Sequence, residues 1–263
     1  MTAVISVDAL AGRRALVTGA ARGIGEAIAR SMASAGADVV IADLNGDAAG
    51  AVADALVDEG HKATAVAVDL SQRDTVLDFA RSIGQVDVLV NNAAPGQTNT
   101  PFLDTPDEEW DIQFALLLTA PRLLSRELGR AMAERGHGAI VNISSASAVR
   151  PAAFVAPYAA AKAGVEVLTK VLALELGPRG VRANAVAPTF VPTERNRPVW
   201  ERVGFSENSG RANPLGRIAT PDDVAAVVTW LATDGAAYVN GQIIAVDGGT
   251  SAGIFMPPPA PTS

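Results

Sequence analysis

Seven short apolar runs alternate with longer stretches of helical periodicity along almost the whole chain, and this alternation restricts the fold most. The runs are 15–18, 38–42, 63–68, 87–90, 139–143, 182–187 and 242–246. They are rich in Val, Ile and Ala and apolar on both faces, as parallel strands covered from both sides are. Helical periodicity fills 24–35, 46–59, 72–83, 107–134, 158–176 and 221–233. Thr220-Pro221-Asp222-Asp223 starts the last of these with an N-cap, a proline and two acids. Gly177-Pro178 stops the one before it. The pattern predicts a doubly wound α/β fold, with a seven-stranded, mostly parallel sheet and helices on both faces. No linker or repeat divides it, so one domain with a core of about 12–250 is expected, followed by a Pro-rich irregular tail over 251–263.

Composition removes whole classes of chemistry. The 263 residues include no Cys, two His and three Lys (Lys62, Lys162, Lys170) among 21 basic residues. There can be no disulfide, thiol nucleophile or iron–sulfur cluster. Two distant histidines make a poor metal site, so no metal is expected. Neither histidine, His61 nor His137, is given a role. A net charge of −7 argues against nucleic acid or an anionic membrane as partner. No window has the ~18 or more uninterrupted apolar residues of a membrane helix, and the first ten residues do not resemble a signal peptide. The expectation is a cytoplasmic protein. If it is an enzyme, a group other than His or Cys moves its protons.

The first strand runs into Thr18-Gly19-Ala20-Ala21-Arg22-Gly23-Ile24-Gly25 and then a helix. Glycines there let the backbone approach a pyrophosphate, and the open N–H groups of the helix start favour its charge. The second strand ends at Asp43, 18 residues after Gly25. A carboxylate so placed accepts ribose hydroxyls and repels a 2′-phosphate, which favours NAD over NADP. Arg22 pulls the other way, because it can pair with that phosphate.

Tyr158 and Lys162 are four residues apart at the start of a helix, one turn apart on one face. A nearby ammonium favours the phenolate, so the pair can act as an acid–base group without His. Ser145, thirteen residues upstream, follows a strand at the edge where such sheets bind ligands. Its hydroxyl can hold a carbonyl oxygen beside Tyr158.

With these motifs in order, the chain resembles the short-chain dehydrogenase/reductase family, over nearly everything from Gly12 to Gly249. The motifs are TGAARGIG (18–25), Asp69-Leu70, NNAA (91–94), Ser145, YAAAK (158–162), APTFVPT (187–193), PLGRIATPDDVA (214–225) and GQIIAVDGG (241–249). The resemblance implies a Rossmann-type fold and hydride transfer between a nicotinamide cofactor and a secondary alcohol or ketone. It implies that Gly19, Arg22, Gly23, Ile24 and Gly25 line the cofactor phosphates and ribose. Asp43 would bind the adenosine ribose, and Asp69 with Leu70 the adenine. Asn91 and Ala93 would form the cofactor floor. Pro188, Val191 and Thr193 would hold the nicotinamide side. Tyr158 would exchange the substrate proton, Lys162 would tune it and hold the nicotinamide ribose, and Ser145 would orient the carbonyl.

Three positions depart from the family pattern. Leu117 stands where the family has an Asn that helps hold a relay water, and Gln113 lies one turn earlier on the same face. Ala94 replaces a Gly, and Thr189 replaces the Gly that follows the proline. The Leu117 departure keeps open an NAD-binding protein with weak or no turnover, a sensor or structural subunit. Within enzymes, an NADPH-dependent carbonyl reductase is the alternative. The long segment 189–213, with Phe190, Trp200, Phe205, Arg195, Arg197, Arg202 and Arg211, reads as a lid. Pro95, Ser147, Phe154, Thr189, Phe190 and Trp200 are the substrate candidates, with Gly96 and Ala153 beside them, and they suggest an uncharged, moderately apolar substrate. Apolar faces over 115–118 and 165–176 suggest a homotetramer, or a dimer.

Overall fold

The computed structural model describes residues 6–96, 99–201 and 209–256, without the side chains of Arg195 and Val199. Residues 257–263 of the expected tail lie outside the described residues, as do Arg202 and Phe205 of the expected lid.

The strands are β1 (Arg14–Thr18), β2 (Asp38–Asp43), β3 (Lys62–Ala67), β4 (Val88–Asn91), β5 (Gly138–Ile143), β6 (Val181–Pro188) and β7 (Ile243–Val246). They form one sheet in the order β3-β2-β1-β4-β5-β6-β7, and every neighbouring pair is parallel. The expected strands therefore all form, with ends moved by a residue. The sheet is wholly parallel rather than mostly so.

The helices are α1 (Gly23–Ser34), α2 (Gly46–Asp58), α3 (Arg73–Ser82), α4 (Asp107–Phe114), α5 (Ala120–Arg135), α6 (Ala156–Leu176), the short α7 (Arg197–Trp200) and α8 (Pro221–Ala232). Successive strand residues feed opposite faces. Val17, Val39 and Ile41 meet Ile28 and Met32 of α1 and Val224 and Val228 of α8 in one apolar layer. Leu16, Val40, Leu89 and Ile140 meet Phe79 of α3 and Leu123, Leu124 and Leu128 of α5 in the other.

One element differs from its sequence reading. The stretch 107–134 is not one continuous α-helix but is interrupted by a π-turn over Ala115–Thr119, in which the Ala120 N–H bonds the Ala115 carbonyl five residues back. Pro121 supplies the reason. It has no N–H, and its ring would collide with the Leu117 carbonyl in a regular helix. Widening the preceding turn removes the collision and carries Leu117 into the interior, where it is buried.

β1 pairs with β2 on one side and β4 on the other, so the chain reverses its direction of progress across the sheet between them. The crevice outside the carboxyl ends of such strands is where open α/β sheets bind ligands.

Candidate active site

The crevice is built from the loops after β1 and β4. Gly19 and Gly23 have left-handed backbones, φ +64° and +62°. A Cβ on Gly19 would lie 2.7 Å from the Ala93 Cα, and one on Gly25 only 2.1 Å from the Gly19 carbonyl oxygen. The loop is therefore closed tightly on itself and on the NNAA segment. Thr18 locks it further. Its hydroxyl donates to the Val90 carbonyl at 3.2 Å and accepts the N–H groups of Asn92 and Ala93 at 3.0 and 3.1 Å. The Asn92 amide donates to the carbonyls of Thr18 and Gly19 at 2.9 and 3.0 Å. Sequence reasoning gave Thr18 and Asn92 no role. The signal was present in the doubled Asn of NNAA, of which only the first was assigned.

Arg22, exposed, is the N-cap of α1 and makes no side-chain cap bond. The first N–H groups of the helix, around Gly23, Ile24 and Gly25, thus have no side-chain acceptor, as an anion-binding helix start requires. Asp43 stands at the end of β2 beside this loop. Its Oδ2 accepts the Ala21 N–H at 3.1 Å and its Oδ1 the Asn45 N–H at 3.0 Å. Asp69 Oδ1 accepts the N–H and hydroxyl of Ser71 at 2.9 and 2.7 Å, next to the buried Leu70. This cradle, with glycines where any Cβ would collide and an open helix N-terminus, fits a dinucleotide.

Ala93 packs on Gly19 from the β4 side. Asn91 is turned elsewhere. Its amide donates to Asn142 Oδ1 at 2.8 Å and to Ser125 Oγ at 3.3 Å, and Asn142 donates to Thr169 Oγ1 at 2.8 Å. These side chains form a buried polar network between β4, β5, α5 and α6, so the Asn91 side chain serves the interior beneath the floor.

Ser145 follows β5 in extended conformation, φ −160°, and its Oγ accepts the Ser147 N–H at 3.1 Å. A hydroxyl whose lone pair is engaged in this way keeps its proton to donate to a carbonyl oxygen. Tyr158 lies half-buried in the first turn of α6, and side chains there lean toward the helix N-terminus. The buried Lys162, one turn further on, donates from Nζ to the Ile143 carbonyl at 2.5 Å. The same Nζ lies 5.7 Å from the Tyr158 ring centroid. Ile143 ends β5, so one strand end carries both the anchor of Lys162 and, two residues on, Ser145.

Leu117 brings no polar group to this region. Gln113 is fully buried, and its Nε2 donates to the Gly96 carbonyl at 2.9 Å and Glu109 Oε1 at 2.8 Å. Two acceptors on one atom fix the amide orientation and use both its donors. Gln113 thus props the segment after NNAA and retains only an acceptor, Oε1.

Beyond β6, Pro188 and Val191 are buried, and the Thr189 N–H bonds the Val246 carbonyl at 3.2 Å. The Thr193 methyl faces the glycine loop, 3.2 Å from where a Cβ on Gly23 would be. Asn196 Oδ1 takes the Thr193 N–H at 2.8 Å, and the Trp200 indole donates to the Thr193 carbonyl at 2.8 Å. Trp200, a substrate candidate by sequence, thereby ties α7 to the segment over the site. Pro95, Ser147, Thr189 and Phe190 are half-buried and Phe154 is exposed.

Asp247 is a further residue that sequence reasoning left without a role. It accepts N–H bonds from Gly249 and Ser251 at 2.9 and 2.7 Å and the Thr250 hydroxyl at 3.1 Å. Burial pushes its carboxyl up, and these bonds outweigh that and hold it below the usual range. Asn213 donates to its carbonyl at 3.0 Å, and Arg150 donates to the Thr250 carbonyl. The loop after Ser145 is thereby tied to the segment after β7.

No group of three His, Asp or Glu among the described residues can hold a metal, and no helix among them is long and apolar enough to cross a membrane. A glycine-loop cradle at the carboxyl edge of a parallel sheet, with a buried Lys next to a Tyr, defines the class as a nucleotide-dependent α/β enzyme. Comparisons with known proteins agree. Residues 19–251 match a family model described as enoyl-(acyl carrier protein) reductase. The chain is 38% identical to D-threitol dehydrogenase of Mycolicibacterium smegmatis, over 93% of this chain and 96% of that protein. It is 39% identical to cis-4-hydroxycyclohexanecarboxylate dehydrogenase of Sinomonas cyclohexanicum, over 93% and 99%. A crystal structure of gluconate 5-dehydrogenase from Burkholderia cenocepacia, in complex with NADP and tartrate, superposes with a TM-score of 0.87 at 35% identity, covering 94% of this chain and 99% of that one. The chain belongs to the short-chain dehydrogenase/reductase family. It is an oxidoreductase acting on secondary alcohols or their ketones with NAD(P).

Proposed function

We propose that Tyr158 is the general acid–base group of a dehydrogenase that prefers NAD, with Lys162 tuning it and Ser145 orienting the reacting oxygen. The observation that carries this reading is the position of Lys162, anchored on the Ile143 carbonyl and 5.7 Å from the Tyr158 ring. Bound NAD(P) supplies the hydride acceptor or donor. In the oxidising direction, the Tyr158 phenolate takes the hydroxyl proton of the alcohol. The Ser145 hydroxyl donates to the same oxygen and holds it in line. In the reducing direction, Tyr158 returns that proton to the oxygen. Lys162 keeps the phenolate accessible near neutral pH. Gly19, Gly23 and Gly25 admit the pyrophosphate, and the α1 start binds its charge. Asp69 and Leu70 border the adenine, and Pro188, Val191 and Thr193 the nicotinamide.

The preference for NAD rests on Asp43, whose carboxylate is held beside the glycine loop by the Ala21 N–H. A 2′-phosphate there meets a fixed negative charge. The NADP in the gluconate 5-dehydrogenase structure and the exposed Arg22 favour the second reading, an NADP-dependent reductase. Relatives named for D-threitol, L-xylulose and cis-4-hydroxycyclohexanecarboxylate support a secondary alcohol or its ketone as the reacting group. We place the protein in the cytoplasm as a homotetramer. Val167, Val171 and Leu174, all exposed along one side of α6, support such an assembly.

The test is turnover by the purified protein of a panel of secondary alcohols with NAD and with NADP, read as absorbance of the reduced cofactor. NAD should give the higher kcat/KM, and Asp43→Ser should narrow the gap about tenfold or more. Cofactor binding without turnover of any alcohol would establish the binding-protein alternative instead. A monomer mass by light scattering would overturn the tetramer.

A further inference from the structure

Among the described residues Phe154 is the one non-glycine residue with a left-handed backbone, φ +71°. A side chain at such a φ crowds the following carbonyl, and the strain lasts only where the surroundings impose it. Here the imposing contacts are visible. The Thr100 N–H holds the Phe154 carbonyl at 3.1 Å, and Val155, the next residue, is the N-cap of α6. Burial does not offset the strain, because Phe154 is 55% exposed. Glycine would suit this backbone better, and a polar residue would suit this exposure better. The ring is therefore unexplained by folding.

Its position suggests what it does. Phe154 lies in the chain between Ser145 and Tyr158, at the end of α6 toward which the Tyr158 side chain leans. The Thr100 strap that holds it leads to Phe102, 66% exposed and packed edge-on against Trp110 at 6.3 Å. Val149, on the loop after Ser145, is 74% exposed. Phe154, Val149 and Phe102 are thus exposed apolar side chains on the loop between Ser145 and Tyr158 and on the strap bonded to it. We propose that Phe154 is a specificity-determining residue, its ring forming the wall against which the body of the substrate lies. The preferred substrates are then secondary alcohols or ketones with an apolar ring or chain next to the reacting carbon, rather than free polyols. The inference rests on the oxidoreductase reading above.

The test compares wild type, Phe154→Ala and Phe154→Gly on cyclohexanol and 2-octanol against xylitol and erythritol, with NAD and with NADP. Wild type should favour the apolar pair. Both variants should lose about tenfold or more in kcat/KM on that pair and keep their rates on the polyols. Phe154→Gly should also melt about 2–4 °C higher than wild type, since it relieves the backbone, whereas Phe154→Ala should not. Equal losses on both substrate classes, no loss on either, or a lower melting temperature for Phe154→Gly would overturn the assignment. So would a fall in light-scattering mass with selectivity unchanged, which would assign the ring to a subunit contact. If wild type oxidises neither class with either cofactor, the oxidoreductase reading falls and takes the assignment with it. Turnover with unchanged selectivity removes the assignment alone.

Discussion

Lys162 Nζ lies 5.7 Å from the centroid of the Tyr158 ring while it donates to the Ile143 carbonyl. The anchor matters as much as the distance. A lysine free to swing into solvent would screen itself from the phenol, whereas this one is buried and fixed to a strand end. Tyr158→Phe should lower kcat for alcohol oxidation by about 10²–10⁴ and leave cofactor affinity in place. Lys162→Met should move the rise of the pH–rate profile to higher pH by about one unit or more, because the lost ammonium no longer favours the phenolate. An unmoved profile would remove Lys162 from that role.

Leu117 offers no side-chain hydrogen bond in the turn where the family has Asn, and both donors of Gln113 are already engaged. A relay from Lys162 therefore finds no hydrogen-bonding side chain at position 117. Leu117→Asn should raise kcat, with the gain largest on the low-pH side where deprotonation limits the rate. If neither the rate nor the pH profile changes, the relay here is not altered by the leucine.

How much of this was legible in the sequence depends on the range of the interaction. The strands, the caps and the Tyr158–Lys162 spacing are local patterns, and they appear where periodicity places them. Thr220 and Asp223 form the capping box that their spacing announces. The π-turn does not show in the periodicity, because Pro121 falls inside a continuous helical pattern and its missing donor affects only the Leu117 carbonyl four residues earlier. The motif assigns Asn91 to the cofactor floor, but the side chains its amide bonds, Asn142 and Ser125, and Thr169 beyond Asn142, come from three distant elements. Arg150 is silent for the same reason, because the Thr250 carbonyl becomes its neighbour only after β5, β6 and β7 have paired, whereas the partners of the Asp247 carboxylate lie within four residues of it.

Asn92 tests whether the glycine loop depends on its support. Its amide donates to two carbonyls, of Thr18 and Gly19. Asn92→Asp keeps the shape but sets a negative oxygen against both. Cofactor affinity should fall about tenfold or more by titration calorimetry, while the far-ultraviolet circular dichroism stays native. Affinity equal to wild type would show that Thr18 alone holds the loop.

Asp223 carries the stability of the helix that covers one face of the sheet. Arg217 grips both its oxygens at 2.6 and 2.7 Å, and the Thr220 N–H adds a bond at 2.7 Å. The Arg217 bond first, and then the Thr220 bonds, hold the carboxyl down at about 2 from an ordinary value of 3.8, against the opposing effect of burial. A carboxyl depressed on folding stabilises the native state above its ordinary value, and that stabilisation is lost as pH falls through the depressed one. The window here is from about pH 4 to about pH 2. Arg217 is 56% exposed, so solvent screening keeps the contribution near 1 kcal/mol, the size of a typical cap. Asp223→Ala should therefore melt about 2–4 °C below wild type at pH 7. The gap should close as both proteins are taken down through pH 2, and shrink in strong salt. A gap that stayed constant across that range would assign the stability to the shape of the cap rather than to the ionised carboxylate.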